Sequence, residues 1–337
     1  MPKNKATPLG DKMGTKKYVG VDIGGSKVAF VVLTANGLHP IEVHRLPLPR
    51  KRTAKTEAME IIGQVGYLVS KYRDDVAAVG VASAPVMDFA NGTIVRWGSR
   101  PAWKGIPLQN LFVESLGLPV LFDNDVNLTC LAEWEALPRS QRPKVLVTVA
   151  IGTGLGGGVV IDGTIFGGTH GQAANLGHIL YIPEGADCPC GSNGCLQTVA
   201  SGLGIVRLAR SFAAQLPGGF TIASQLGRPD SWTAYSLAMR GADLEWVQRA
   251  FVRAAEAVAW GMYQMRELFD PDRIVVTGGV MNSRELFVKP LMRCAAGLGL
   301  SSLVTGPTLQ QDLSAAIGAA IAGRRLRAPG HFDEQTN

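Results

Sequence analysis

Long apolar runs are missing from this chain of 337 residues. No stretch reaches the roughly 20 residues that a membrane helix needs, so no membrane partner is expected. The first fifteen residues carry lysines but no apolar core of the kind a signal peptide has. Cysteine is scarce, at five residues: Cys130, Cys188, Cys190, Cys195 and Cys294. An odd number, three of them clustered near a histidine, argues against a disulfide framework and for a metal in a reducing compartment, which makes the expected location cytoplasmic. Charge is thin as well, with 18% charged residues and a net charge of +6. Part of the positive excess lies in the tails, at Lys3, Lys5, Lys12, Lys16 and Lys17 and at Arg324, Arg325 and Arg327. No aromatic residues are interleaved with these charges, and no nucleic-acid partner is expected.

Glycine is what the chain has in excess, at 41 residues, beside a hydrophobic fraction of 46%. That composition describes a compact globular protein, and the length allows two domains. Residues 1–16 read as an unstructured leader. Apolar runs and helical periodicity then predict strands at Lys17–Leu33, Val76–Ala84, Pro119–Phe122, Val145–Ile151, Gly157–Ile161 and Arg273–Thr277. Helices are predicted over Thr53–Tyr72, Ile106–Leu116, Leu128–Ala136, Leu203–Ala214, Leu244–Leu268 and Leu313–Leu326, with a polar connector over Phe220–Arg240. The expected division is a small N-terminal α/β domain of residues 17–137 plus 311–328, and a larger one of residues 138–310.

Two glycine turns carry the first chemical signal. Asp22-Ile23-Gly24-Gly25-Ser26-Lys27 lies inside the first strand unit, where glycine lets backbone amides approach an anion and Ser26 and Lys27 add donors. Asp22 could hold Mg2+ there; the plainer alternative is a hairpin with a glycine bulge. The spacing is neither that of a P-loop nor that of a dinucleotide fingerprint. Gly152-Thr153-Gly154, running on to Gly158, follows the strand Val145–Ile151 and repeats the strand–turn–strand pattern about 130 residues later, which suggests a duplicated domain. A third pair, Gly278-Gly279, ends the strand Arg273–Thr277; it could let an adenine lie on the backbone, or be an ordinary left-handed turn.

Polar groups appear at the end of the strand Pro119–Phe122, in Asp123-Asn124-Asp125-Val126-Asn127. The carboxyl ends of strands are where open α/β sheets bind ligands, and one of these carboxylates could be a general base. The alternative is a cap or Asx turn serving the next helix; this is the reading taken for Asn127, while Asp125 is read as catalytic. His178, Cys188, Cys190 and Cys195, spaced H-x9-C-x-C-x4-C, make a Cys3His set able to close a tetrahedral shell around structural Zn2+, with Gly191 and Gly194 allowing the reversals.

Gly177-His178 followed by C-x-C-G-x-x-G-C-L-Q over Cys188–Gln197 resembles the signature of the ROK family of sugar kinases and related repressors, over about Tyr18 to Gly323. The resemblance implies an α/β, two-domain actin/hexokinase-like (ribonuclease H-like) fold with a deep interdomain cleft and a structural zinc knot, assembled as a homodimer or homotetramer. It further implies ATP with Mg2+ as cofactors. Asp22, Gly24, Gly25, Ser26 and Lys27 would form the first phosphate loop, Gly152, Thr153 and Gly154 the second, and Gly278 and Gly279 the adenosine segment. Asp125 would be the base taking a proton from the sugar's primary hydroxyl. Asn124 would grip adjacent hydroxyls, and His178 would both ligate zinc and face the sugar.

The departures from the family pattern bear on the acceptor. Kinases of this family acting on glucose usually carry Glu where Asn175 and Gln197 stand here, and Asn near Ser99, ahead of the tryptophan matched by Trp103. Hydrogen bonds to an ionised acceptor are worth ~1.5–3 kcal/mol against ~0.5–1.5 for neutral pairs. Two amides in place of carboxylates should weaken glucose recognition and admit a group that needs a donor. The expected acceptor is therefore a modified hexose, an amino hexose or a C7-cyclitol bound through Ser99, Asn124, Asp125, Asn175, His178 and Gln197; the alternatives are a glucokinase proper, a sugar-sensing regulator and a pseudokinase. The regulator is disfavoured because only about seventeen residues precede the first strand, too few for a helix-turn-helix domain.

Overall fold

The computed structural model describes residues 16–48, 53–88, 91–98, 100–218 and 226–326. The chain divides into two compact units, residues 1–128 with 313–337, and residues 129–312. The joints therefore fall at Leu128/Thr129 and Asp312/Leu313.

In the first unit β1 (Lys17–Ile23) and β2 (Lys27–Thr34) form an antiparallel hairpin, and β3 (Glu42–Pro47) adds to β2 in the same sense. After α1 (Ala54–Tyr72), β4 (Val76–Ser83) lies parallel to β1. A small hairpin of β5 (Val86–Asp88) and β6 (Thr93–Arg96) and the helix α2 (Leu108–Leu116) lead to β7 (Val120–Asn124), parallel to β4. The sheet order is β3-β2-β1-β4-β7. Alternation along β1 decides its two faces: Val19, Val21 and Ile23 join a core with Ile61, Val65 and Leu68 of α1. The opposite face is left bare by glycine so that α8 (Ser314–Arg325) can lie on it. A Cβ on Gly20 would fall 1.9 Å from the Ala316 carbonyl oxygen, and one on Gly80 would fall 1.8 Å from that of Ala319.

Helix α3 (Asp125–Ala136) follows β7 without a loop. It starts three residues before the expected Leu128, and Asn127 is not its cap. Asn124 is: its Oδ1 accepts from the backbone N–H of Val126 (2.9 Å) and of Asn127 (3.3 Å).

The second unit repeats the scheme. Its sheet order is β10-β9-β8-β11-β12, formed by β8 (Val145–Ile151), β9 (Leu155–Ile161), β10 (Thr164–Ile165), β11 (Arg273–Thr277) and β12 (Val304–Thr305). β8–β9 and β9–β10 are antiparallel, β8–β11 and β11–β12 parallel, the same senses as in the first sheet. That shared order supports the duplication read from the spacing of the glycine turns. Helices α4 (Gly202–Ala214), α5 (Ala234–Arg240), α6 (Glu245–Phe269) and α7 (Lys289–Gly297) complete the unit. The expected connector over Phe220–Arg240 thus contains α5, which starts at a reciprocal capping box between Thr233 and Ser236; residues 219–225 lie outside the described part. Among the described residues no helix is long and apolar enough to cross a membrane.

Candidate functional site

In the first unit the glycine turn closes the β1–β2 hairpin at the carboxyl end of β1, as its Gly24 N–H bonds back to the Lys27 carbonyl (3.1 Å). Register puts Asp22 opposite Ala82 of β4, and Ala82 opposite Asp123 of β7. The acids of two strands therefore stand at one level of the sheet's carboxyl edge. Burial and the neighbouring Asp125 charge push the Asp22 carboxyl up to about 7, against the pull of Lys27. Burial also raises Asp125, offset in part by the Val126 N–H on its Oδ1 (2.9 Å). Asp123 is raised by burial too, but its Oδ1 is committed to the Asn127 amide (2.9 Å) and the Asn124 N–H (2.6 Å).

The turn is braced from behind by residues that sequence reasoning did not single out. Arg100, 6% exposed, donates from Nε to the Gly25 carbonyl (2.8 Å) and from its other guanidinium nitrogens to the Leu48 carbonyl and to Glu57 Oε2, the last at 2.8 Å. Leu48 N–H in turn bonds the Ser26 carbonyl (2.8 Å), and Trp103 Nε1 donates to the same Glu57 oxygen (2.8 Å). Burial of a Glu–Arg pair needs such a set of partners. The only hint in the sequence was a glutamate at a position of α1 that the periodicity leaves at the edge of its apolar stripe. Ser99, next to Arg100, lies outside the described residues.

In the second unit the turn proper is Gly152-Thr153-Gly154; the strand expected over Gly157–Ile161 is β9, which begins earlier, at Leu155, so the glycine-rich run to Gly158 is mostly strand rather than turn. Gly157 serves packing instead, because a Cβ there would meet the Ala174 carbonyl oxygen at 2.3 Å. The first amides of α4 hold the turn, Gly202 N–H on the Gly152 carbonyl (2.9 Å) and Leu203 N–H on that of Thr153 (3.3 Å). Gly278 has φ +102°, and a Cβ on it would strike Ile151 oxygen at 2.4 Å, so the β11 turn lies directly against the end of β8. Gly279 opens the short turn of helix that follows.

The four expected metal ligands converge. One ligand atom from each of His178, Cys188, Cys190 and Cys195 lies within 4.8 Å of every other, with His178 Nδ1 3.6 Å from Cys188 Sγ and Cys190 Sγ 3.5 Å from Cys195 Sγ. Metal–sulfur bonds of ~2.3 Å in a tetrahedron put sulfurs about 3.8 Å apart, so the set fits a tetrahedral metal. Gln197 Nε2 donates to Cys188 Sγ (3.1 Å). Asn175 is exposed, and its carbonyl accepts the His178 N–H (3.0 Å), which fixes the start of the turn carrying the histidine. Ala174 before it adopts a left-handed φ of +57°.

Comparison with known proteins agrees with this geometry. The chain is 31% identical over 321 residues to the kanosamine kinase of Amycolatopsis mediterranei, covering 92% of this chain and 97% of that one. It is 29% identical over 310 residues to a glucokinase of Halalkalibacterium halodurans, covering 87% of this chain and 89% of the other. The solved structure of a ROK family glucokinase from Streptomyces griseus in complex with glucose and AMPPNP superposes with a TM-score of 0.76 at 28% identity, over 92% of this chain and 99% of that one. The model of the ROK family matches residues 18–323, taking in both glycine turns, the acids after β7 and the Cys/His cluster, and the chain belongs to that family.

Proposed function

We propose that the protein is an ATP-dependent kinase that phosphorylates the primary hydroxyl of a hexose-like polyol. The observation that carries this reading is the pairing of Asp22 and Asp125 at the carboxyl edge of one sheet, beside a glycine turn. Asp125 accepts the proton of the acceptor hydroxyl, a contribution of ~10²–10⁴-fold, and its raised pKa makes it the stronger base. Asn124 turns its carbonyl to the amides of α3, which leaves its amide nitrogen to donate to a neighbouring hydroxyl. The amides of the turns at Gly24–Ser26 and Gly152–Gly154 bind phosphate oxygens, Lys27 and Thr153 add donors, and Gly278–Gly279 carry the adenosine. Asp22 would hold the Mg2+ of the nucleotide, an ion that neutralises charge on the phosphoryl group in flight. A cation there would also offset the burial and the Asp125 repulsion that lift the Asp22 pKa. The Cys3His set suits Zn2+ in a closed structural role, and clustered metal-ligating cysteines suit a reducing cytoplasm.

For the acceptor we favour a modified hexose, an amino hexose or a C7-cyclitol, because amides stand at Asn175 and Gln197; the likeness to a kanosamine kinase supports this. The likeness to glucokinases supports the alternative, plain glucose. Incubation with ATP and a panel of glucose, amino hexoses and cyclitols, with phosphorylated products weighed by mass spectrometry, separates them: the highest kcat/KM on glucose removes the first reading. Asp125→Asn is expected to keep nucleotide binding and lose ~10²–10⁴-fold in kcat. Turnover near that of the wild type would refute Asp125 as the base.

A further inference from the structure

Gln197 occupies a position where its side chain touches two things at once. Its Nε2 lies 3.1 Å from Cys188 Sγ. Its Oε1 lies where a Cβ on Gly154 would be 3.1 Å away, so the second glycine turn passes directly over the amide. The backbone makes the same connection. The Gln197 carbonyl accepts from Ser201 Oγ (2.7 Å), which caps α4 through Gly204 N–H (3.0 Å), and the first amides of α4 hold the carbonyls of Gly152 and Thr153.

We infer that Gln197 is a positioning residue of the metal knot, its carboxamide N–H bonded to the Cys188 thiolate and its carbonyl set against Gly154, so that loading the knot orders the glycine turn. The turn's part in this rests on its reading as a nucleotide cradle. A thiolate bound to a metal carries the charge that makes it a good acceptor, and groups that bond to a ligand atom tune its donor strength. A glutamate at this position would fill the same volume and reach the same sulfur, but an ionised carboxylate has no hydrogen to donate. The amide is therefore more than a lost acceptor for ring hydroxyls: it gives the knot a bond to the turn that a carboxylate cannot make.

The test uses the full-length protein loaded with Co2+ in place of the native ion, as wild type, Gln197→Met and Gln197→Glu. Loss of the N–H donor should move the thiolate-to-cobalt charge-transfer band to longer wavelength in both variants and speed release of the metal to a chelator by ~10-fold or more. Calorimetric titration with ADP should show affinity falling several-fold in Gln197→Met and in metal-stripped wild type alike. An unchanged band and release rate in both variants would overturn the inference. So would altered metal properties with ADP affinity left at the wild-type value. Failure of the loaded wild type to bind ADP would instead remove the nucleotide reading, while the cobalt band still decides the bond to Cys188.

Discussion

Replacing Asp22 by asparagine should stabilise the ligand-free protein at neutral pH while removing the side chain proposed to hold Mg2+. The reason is the carboxyl's rise from 3.8 to about 7, caused first by burial and then by the charge of Asp125. An acid whose folded pKa exceeds its unfolded one binds more protons in the folded state between those two values, so stability falls as pH rises across that window. The penalty is nil below the unfolded value of 3.8 and complete above about 7, where the rise corresponds to a ceiling of ~4 kcal/mol. Urea unfolding of wild type and Asp22→Asn at steps from about pH 4 to about pH 8.5 should give curves that agree at the acid end and part by up to ~4 kcal/mol at the alkaline end. Asp125→Asn removes the second cause, so the folded pKa of Asp22 drops and the fall should end at a lower pH with a smaller total penalty. The same ionisation predicts that Mg2+-nucleotide binding tightens as pH rises through about 7 in the wild type and not in Asp22→Asn. Parallel stability curves for wild type and Asp22→Asn across the whole range would refute the placement of two interacting acids at this edge.

Two further substitutions probe the supports of the turns. Ala174 holds φ +57° without being glycine, a conformation that costs an L-residue ~1–2 kcal/mol, while glycine's extra freedom in the unfolded chain returns ~0.5–1; Ala174→Gly should therefore stabilise by about 0.5–1 kcal/mol in urea unfolding. Arg100→Met should cost ~3–5 kcal/mol by stranding the buried Glu57 carboxylate, and adding Glu57→Gln should recover part of it, because Trp103 can still donate to the new amide. Strict additivity of the two changes would show that the pair is not coupled.

The long strands and helices were legible because hydrophobic period and length speak for local structure. The short strands β3, β5, β6, β10 and β12 and the helices α5 and α7 carry too little of either and were not predicted. Edges were less legible. Asn124 and Asn127 are equally good cap residues, and the choice between them turns on where β7 lets go of the sheet, which depends on its pairing with β4. Glycine was ambiguous for a similar reason. Gly154 and Gly157 look alike in sequence, yet one forms a turn and the other makes room for the Ala174 carbonyl. The Cys/His set was readable because ligand chemistry constrains both residue type and spacing. Glu57 and Arg100 were not: they are 43 residues apart and meet only after α1 has packed on its sheet.

The repeated sheet places the candidate site residues at equivalent points of two frames. Each unit makes a hairpin of its first two strands, and each hairpin ends in a glycine turn at the carboxyl end of its first strand. The frames then diverge in what they add. In the first unit the outer parallel strand β7 leads to Asp123, Asn124 and Asp125, two carboxylates and an amide at one strand end. In the second, β11 delivers Gly278 and Gly279, and the turns at Gly152–Gly154 and Gly278 offer backbone rather than carboxylate. Electrostatics favours that division. Acids suit a neutral polyol and a cation, whereas a polyphosphate is better met by N–H groups that carry no opposing charge and demand close backbone approach. On the proposed reading the two copies of the frame therefore differ mainly in what a parallel strand adds at its end, carboxylates after β7 and glycine backbone after β11.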